Sequence, residues 1–373
     1  MQPYKVLVVD DSAFMRKIIA DIISEDAAFK VVDTAKNGME ALEKTRLLKP
    51  DVVTMDVEMP VMSGLEALRR MMDNHPVPVI MLSSLTREGS METLRALEWG
   101  AVDFVPKPSG SISLDLHDVK QLLLEKLHAA VQANVRRPAG AEPEPKPEQA
   151  SEKKADKKPP AAKQLLSRPE PAAEGSQQPV PAPWEHLVAI GTSTGGPRAL
   201  QLVLTRLPAQ FKAPVLVVQH MPPKFTNSLA RRLDSLCEIR VVEAEDGMRL
   251  EPGTAYIAPG GFHMTVVRQT DFRIRLLDDA PRKGHRPSVD VLFESLLPFR
   301  ELKRHIVLMT GMGSDGAMGM KALRDAGAVT TIAEAESTCV VYGMPRRAVE
   351  LNGAQYVLPN YEIADQLIRA VNA

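Results

Sequence analysis

Along the first 130 residues, short apolar runs alternate with stretches in which apolar residues recur every three or four positions. The runs are KVLVVD (5–10), VVDTA (31–35), VVTMD (52–56), PVIMLS (78–83) and DFVPK (103–107). Their length suits buried strands, and intervening segments such as GMEALEKTRLL and METLRALEWG carry the helical period. Five such βα repeats predict a parallel, doubly wound sheet. From about residue 184 the alternation resumes with HLVAIG, PVLVVQH, IRVVEA, HIVLMTG, AVTTIAE and QYVLP. MTVVRQTDFRIRLLDD departs from it, alternating with period two around a polar turn as a β-hairpin does. Two α/β domains are expected, with ligands at the carboxyl ends of their strands.

Between Pro138 and Pro183 the periodicity stops, and eleven of the chain's 30 prolines fall there with no aromatic residue among them. Such a segment buries too little apolar surface to offset its ordering entropy, so 134–183 reads as a disordered linker rich in Pro, Ala, Glu and Lys. As flexible coil it would span roughly 40 Å. The lysines 153, 154, 157 and 158 are interleaved with acids, which favours a solvated tether over a nucleic-acid patch. A net charge of −1 points the same way. Cys237 and Cys339 lie far apart without CxxC spacing, which argues against a disulfide framework or zinc cluster. No window approaches 18 uninterrupted apolar residues and the start lacks signal-peptide form, so a cytoplasmic location without membrane insertion is expected.

In the first half, Asp10 and Asp11 end the first run, Asp56 the third, Ser83 and Ser84 the fourth, and Lys107 follows the fifth. All should converge on one rim. Three carboxylates there repel unless a cation sits among them, and hard oxygen ligands suit Mg²⁺. Asp56 could then attack phosphorus, with Lys107 compensating charge and Ser83 contacting the phosphoryl oxygens. Read singly, Asp11 and Ser12 could cap a helix and Lys107 could sit on a solvated loop, but five such residues at strand ends make that reading the poorer one.

In the second half, AIGTSTGGP follows an apolar run and precedes a helical pattern. As a phosphate cradle it fails, because Pro197 and Arg198 stand where a P-loop needs Lys and then Ser or Thr. It does fit G-x-S-x-G over 191–195 between a strand and a helix, which would expose Ser193 as a nucleophile. The next run ends in His220, and HIVLMTG leads into GMGSDG, placing Asp315 at the same rim. Ser193, His220 and Asp315 thus form a candidate triad of nucleophile, general base and orienting carboxylate. GMGSDG is also formally G-x-G-x-x-G, with Glu334 and Glu336 beyond the following strand as a dinucleotide site would have. Against that alternative, Asp315 would put a carboxylate beside a pyrophosphate. His263 and His285 lie near proline- and glycine-rich turns and could touch substrate, but read better as ordinary loop histidines. Among Arg198, Arg231 and Arg286, Arg286 is the better candidate for gripping an acidic substrate.

The motifs VVDDS, TMDVEMP, MLSS and FVPKP resemble the receiver domain of bacterial two-component signalling. That resemblance implies Asp56 as phosphoacceptor, Mg²⁺ held by Asp10, Asp11, Asp56 and the backbone carbonyl of Glu58, and a switch made by Ser83 and Lys107 with Phe104 in its aromatic position. It implies a histidine kinase as phosphodonor. IGTSTGGP, VVQHMPPKFT, APGG, HRPSVD and LMTGMGSDG resemble the chemotaxis protein-glutamate methylesterase (CheB) family. This second resemblance implies a Rossmann-like parallel sheet, the triad above, a Met312 N–H in the oxyanion hole and Thr194 lining the site. It also implies chemoreceptors as substrates for demethylation and deamidation, with no cofactor in the esterase site. Ser314 stands where the family usually shows asparagine. The expected organisation is a (βα)5 receiver over 1–133, the linker over 134–183, and a methylesterase domain with its hairpin over 184–373.

Overall fold

The computed structural model describes residues 2–84, 86–107, 114–134 and 184–373. Apart from Asn134, the expected linker lies outside the described residues. The first region runs β1 (Tyr4–Val9), α1 (Ala13–Ser24), β2 (Phe29–Ala35), α2 (Gly38–Leu48), β3 (Val52–Asp56) and α3 (Gly64–Asn74). It continues through β4 (Val79–Ser83), α4 (Arg87–Glu98), β5 (Asp103–Pro106) and α5 (Leu114–Val131). The sheet is parallel throughout in the order β2-β1-β3-β4-β5. β3 and β4 are buried along their whole length, as strands covered by helices on both faces must be.

The second region begins β6 (His186–Thr192), α6 (Gly196–Leu204), β7 (Val215–Gln219), α7 (Phe225–Asp234), β8 (Arg240–Glu243) and β9 (Thr254–Ile257). Next come the hairpin β10 (His263–Arg268) and β11 (Phe272–Leu277), then α8 (Val289–Ser295), β12 (Lys303–Leu308) and α9 (Ala317–Asp325). It ends with β13 (Thr330–Glu334), α10 (Met344–Glu350), β14 (Tyr356–Leu358) and α11 (Asn360–Asn372). Seven parallel strands form the order β14-β13-β12-β6-β7-β9-β8. The antiparallel hairpin stands outside this sheet, as its period-two pattern requires. β9 went unread in the sequence: TAYI is four residues long and lies between the glycine-containing turns EPG and APGG.

Strand order reverses between β6 and β12, so the loops leaving these two strands diverge and open a crevice at their carboxyl ends. The turn after β6 carries Ser193 and the loop after β12 carries Asp315, while His220 follows β7 on the other side of β6. The first sheet reverses between β1 and β3, where Asp10, Asp11 and Asp56 meet.

Candidate functional site

The turn that carries Ser193 is fixed from three sides. Gly195 adopts φ +78°, and Gly196 packs so closely that a Cβ there would lie 1.9 Å from Gln219 Oε1. Gln219 donates from Nε2 to the carbonyls of Ser193 and His220 at 3.0 Å each and accepts the Thr192 hydroxyl at 2.5 Å. Ser193 N–H donates to Thr310 O (3.0 Å), and the Thr310 hydroxyl donates to Thr194 O (2.9 Å). Pro197 lies in the first turn of α6, where its missing N–H costs no hydrogen bond.

His220 Nε2 lies 2.8 Å from Asp315 Oδ2, with both side chains buried. Asp315 also accepts the Ser288 hydroxyl and the N–H groups of Val289 and Asp290 at 2.7 to 3.0 Å. Burial alone would raise its carboxyl. The His220 bond and charge, with the N–H groups of Asp290 and Val289, outweigh that and hold it well below the usual carboxylate range. An ionised Asp315 fixes the proton on Nε2, leaving Nδ1 as the acceptor. That Nδ1 is buried without a hydrogen-bond partner among the described residues. No hydrogen bond joins it to Ser193 in this state. Met312 is half-buried in the loop between Gly311 and Asp315, and its N–H has no partner among the described residues.

His285 proves to be part of this site. Its ring stacks on His220 with centroids 3.9 Å apart and planes 11° apart. Burial, followed by the neighbouring His220, pushes its pKa down to about 3, so it stays neutral. The only sequence signal for it was its place in HRPSVD, five residues before Asp290. His263 is a packing residue: Nδ1 accepts Ser288 N–H (3.1 Å) and Nε2 donates to Ala280 O (3.2 Å). Arg286 lines the cavity beside His220 and His285, but its guanidinium is bonded to Asp278 (2.7 Å) and Asp279 O (2.9 Å). Arg198 is removed from that cavity and lines another, beside Leu97 and Val340.

The far wall of the His220 cavity comes from the first domain. Asp103, Phe104, Leu122, Glu125 and Lys126 face His220, His285 and Arg286 across it. Thr194 donates to Asp103 Oδ2 (2.6 Å), Lys126 Nζ lies 2.9 Å from the same oxygen, and it reaches Thr194 Oγ1 at 3.4 Å. Phe104 is buried against Phe225 of α7, ring centroids 4.4 Å apart. Glu98 of α4 accepts two bonds from Arg232 of α7 (2.8 and 3.1 Å). The residue next to Ser193 is therefore held by the other domain.

At the first rim, one oxygen from each of Asp10, Asp11 and Asp56 lies within 4.8 Å of the others. Lys107 Nζ stands 2.8 Å from Asp10 and 2.7 Å from Asp56. Asp10 Oδ2 is buried and makes no hydrogen bond beyond that ion pair. Burial, partly offset by Lys107, pushes Asp56 up to about 6. Three carboxylates offering oxygens this close together are a hard-ligand set that fits Mg²⁺. Glu58 lines the groove beside Asp11. Ser83 ends β4, and its hydroxyl is engaged with the α4 side: it bonds Ser84 O and Gly89 O at 3.2 Å each and accepts from Thr93 Oγ1 at 2.6 Å.

The dinucleotide alternative fails on geometry. Asp315 is engaged by His220, Ser288 and the N–H groups of Val289 and Asp290, which leaves its carboxylate in the loop a pyrophosphate would approach, and Glu334 is fully buried, although Glu336 is exposed.

Fold and rims together define an α/β receiver domain joined to an α/β catalytic domain. The response regulator receiver domain profile matches residues 6–117, and the CheB methylesterase profile matches 188–367. A protein-glutamate methylesterase/protein-glutamine glutaminase of Geobacillus kaustophilus is 50% identical over 372 residues, spanning 100% of this chain and 99% of the relative. A protein of the same description from Bacillus subtilis is 48% identical over 349 residues, covering 93% and 92%. Among solved structures, the Thermotoga maritima CheB methylesterase catalytic domain is 45% identical with TM-score 0.49, covering 50% of this chain and 98% of its own. The chain belongs to the CheB methylesterase family. No described helix is long and apolar enough to cross a membrane.

Proposed function

We propose that this protein is a phosphorylation-activated serine hydrolase that demethylates glutamate methyl esters on chemoreceptors and deamidates particular receptor glutamines. The observation that carries the reading is the buried His220–Asp315 pair, whose orphaned Nδ1 lies at the strand end adjoining Ser193. Nδ1 takes the Ser193 proton as Oγ attacks the ester carbonyl, and Asp315 stabilises the resulting imidazolium. The Met312 N–H is the oxyanion donor. Collapse breaks the C–O bond, His220 returns the proton to the leaving methoxide, and methanol departs. Water, deprotonated by His220, then attacks the acyl-enzyme and frees the glutamate. With glutamine the same cycle releases ammonia. Thr194 lines this site, and Arg286 becomes a substrate contact once released from Asp278.

A histidine kinase supplies the phosphoryl group to Asp56. Mg²⁺, when bound by Asp10, Asp11, Asp56 and the Glu58 carbonyl, would neutralise charge at that step. The acyl phosphate draws Lys107 and Ser83 toward it, taking the Ser83 hydroxyl from Gly89 and Thr93 of α4. Shifts of α4 and β5 then weaken the hold of Asp103, Lys126 and Phe104 on the second domain. Domain limits of 1–133 and 184–373, with a tether between, suit such separation.

The test is methanol release from methylated receptor membranes by purified protein and by Ser193→Ala. Loss to background in the variant supports the assignment, and retained release refutes it.

A further inference from the structure

Glu334 is a fully buried carboxyl at the end of β13 that the proposed chemistry does not use. Its Oε2 accepts the Thr310 N–H at 2.8 Å, and its Oε1 accepts the Thr338 hydroxyl at 2.9 Å. Neither partner is a cation, and burial pushes its pKa up. A carboxyl in this setting is costly to keep unless what it holds matters.

What it holds is Thr310, whose polar groups are all engaged around the nucleophile turn. The Thr310 carbonyl accepts Ser193 N–H (3.0 Å), and its hydroxyl donates to Thr194 O (2.9 Å) and accepts Val341 N–H (3.0 Å). Thr310 also begins the loop that continues through Gly311 to Met312. Gly311 is close-packed there: a Cβ would lie 2.7 Å from Ser193 Cβ. A shift at Thr310 therefore moves the Ser193 turn and the Met312 N–H together, in a fold where little slack exists to absorb it.

We infer that Glu334 is a positioning residue: through Thr310 it sets the distance between the Ser193 hydroxyl and the Met312 N–H. The inference rests on the reading of Ser193 as nucleophile. It assigns a role in acyl transfer to a residue that touches neither substrate nor the reacting atoms.

The test uses full-length protein with phosphodonor and Mg²⁺, measuring kcat and KM for receptor demethylation and the thermal midpoint of each variant. Glu334→Leu fills the space but lacks the acceptor, whereas Glu334→Gln restores an acceptor without charge. Expected for Glu334→Leu, assayed well below its thermal midpoint, is a kcat at least about tenfold lower with KM within about twofold, while the midpoint itself falls because the Thr310 N–H loses its acceptor. Glu334→Gln should return kcat to within about threefold of wild type. A Glu334→Leu protein with wild-type kcat, or a loss of kcat that tracks the thermal midpoint and is not rescued by Gln, would overturn the inference. Ser193→Ala runs in parallel: residual activity there would refute the nucleophile reading itself, whereas an inactive Ser193→Ala beside an unimpaired Glu334→Leu would refute only the role of Glu334.

Discussion

Asp56 illustrates how burial loads a single side chain. Its folded pKa of about 6 stands above the ordinary aspartate value of 3.8, so the folded chain holds the proton more tightly than the unfolded one. The associated stability is present below pH about 4 and is lost as pH rises through about 6, up to about 3 kcal/mol in the absence of metal. Asp56→Asn removes that loss. In chelator, its thermal midpoint should match wild type below pH about 4 and exceed it above pH about 6.5, and Mg²⁺ should narrow the gap by binding the ionised form. Calorimetry across this pH range checks both statements. At this scale the sequence was legible where a residue type itself announces chemistry: Asp10, Asp11, Asp56, Ser193 and His220 lie at strand ends and Asp315 in the loop that follows β12. His285, Thr310 and Gln219 were not, because stacking on an imidazole and holding a carbonyl leave no mark on spacing.

The strand-turn-helix unit of β6 and α6 shows why backbone contacts matter as much as the serine. Gly196→Ala would push a methyl into Gln219 Oε1 and Thr192 Oγ1, displacing the amide that holds the Ser193 and His220 carbonyls. Activity should fall by about ten- to a hundredfold with the fold intact, since misplacement on the scale of 1 Å costs that much. Steady-state rates beside circular dichroism test it. Strands of the two parallel sheets were readable because burial on both faces leaves continuous apolar runs, and the hairpin because β11 alternates apolar and charged residues after a polar turn. β9, lying between two glycine-containing turns, went unread. Ser83 was placed correctly on β4, but its hydroxyl direction is set by Thr93, ten residues away on α4, and strand periodicity carries nothing about that contact.

Across the whole molecule, the contacts that join the two domains were invisible in the sequence, since each couples residues about 70 to 130 positions apart. They converge on Thr194 and α7, which gives the receiver its grip on the nucleophile turn. The Glu98–Arg232 pair is part-exposed and worth about 1 kcal/mol. Arg232→Ala should therefore raise the rate without phosphodonor by about fivefold and shrink the stimulation by phosphodonor in proportion. An unchanged basal rate would remove this pair from the grip.

The central claim is that phosphorylation of Asp56 frees Ser193 for catalysis. Its most direct test is the initial rate of methanol release from methylated receptor membranes, with and without a small phosphodonor and Mg²⁺, for wild type and Asp56→Ala. The rate should rise with phosphodonor in wild type and not in Asp56→Ala. A wild-type rate indifferent to phosphodonor while Asp56 is demonstrably phosphorylated would contradict it.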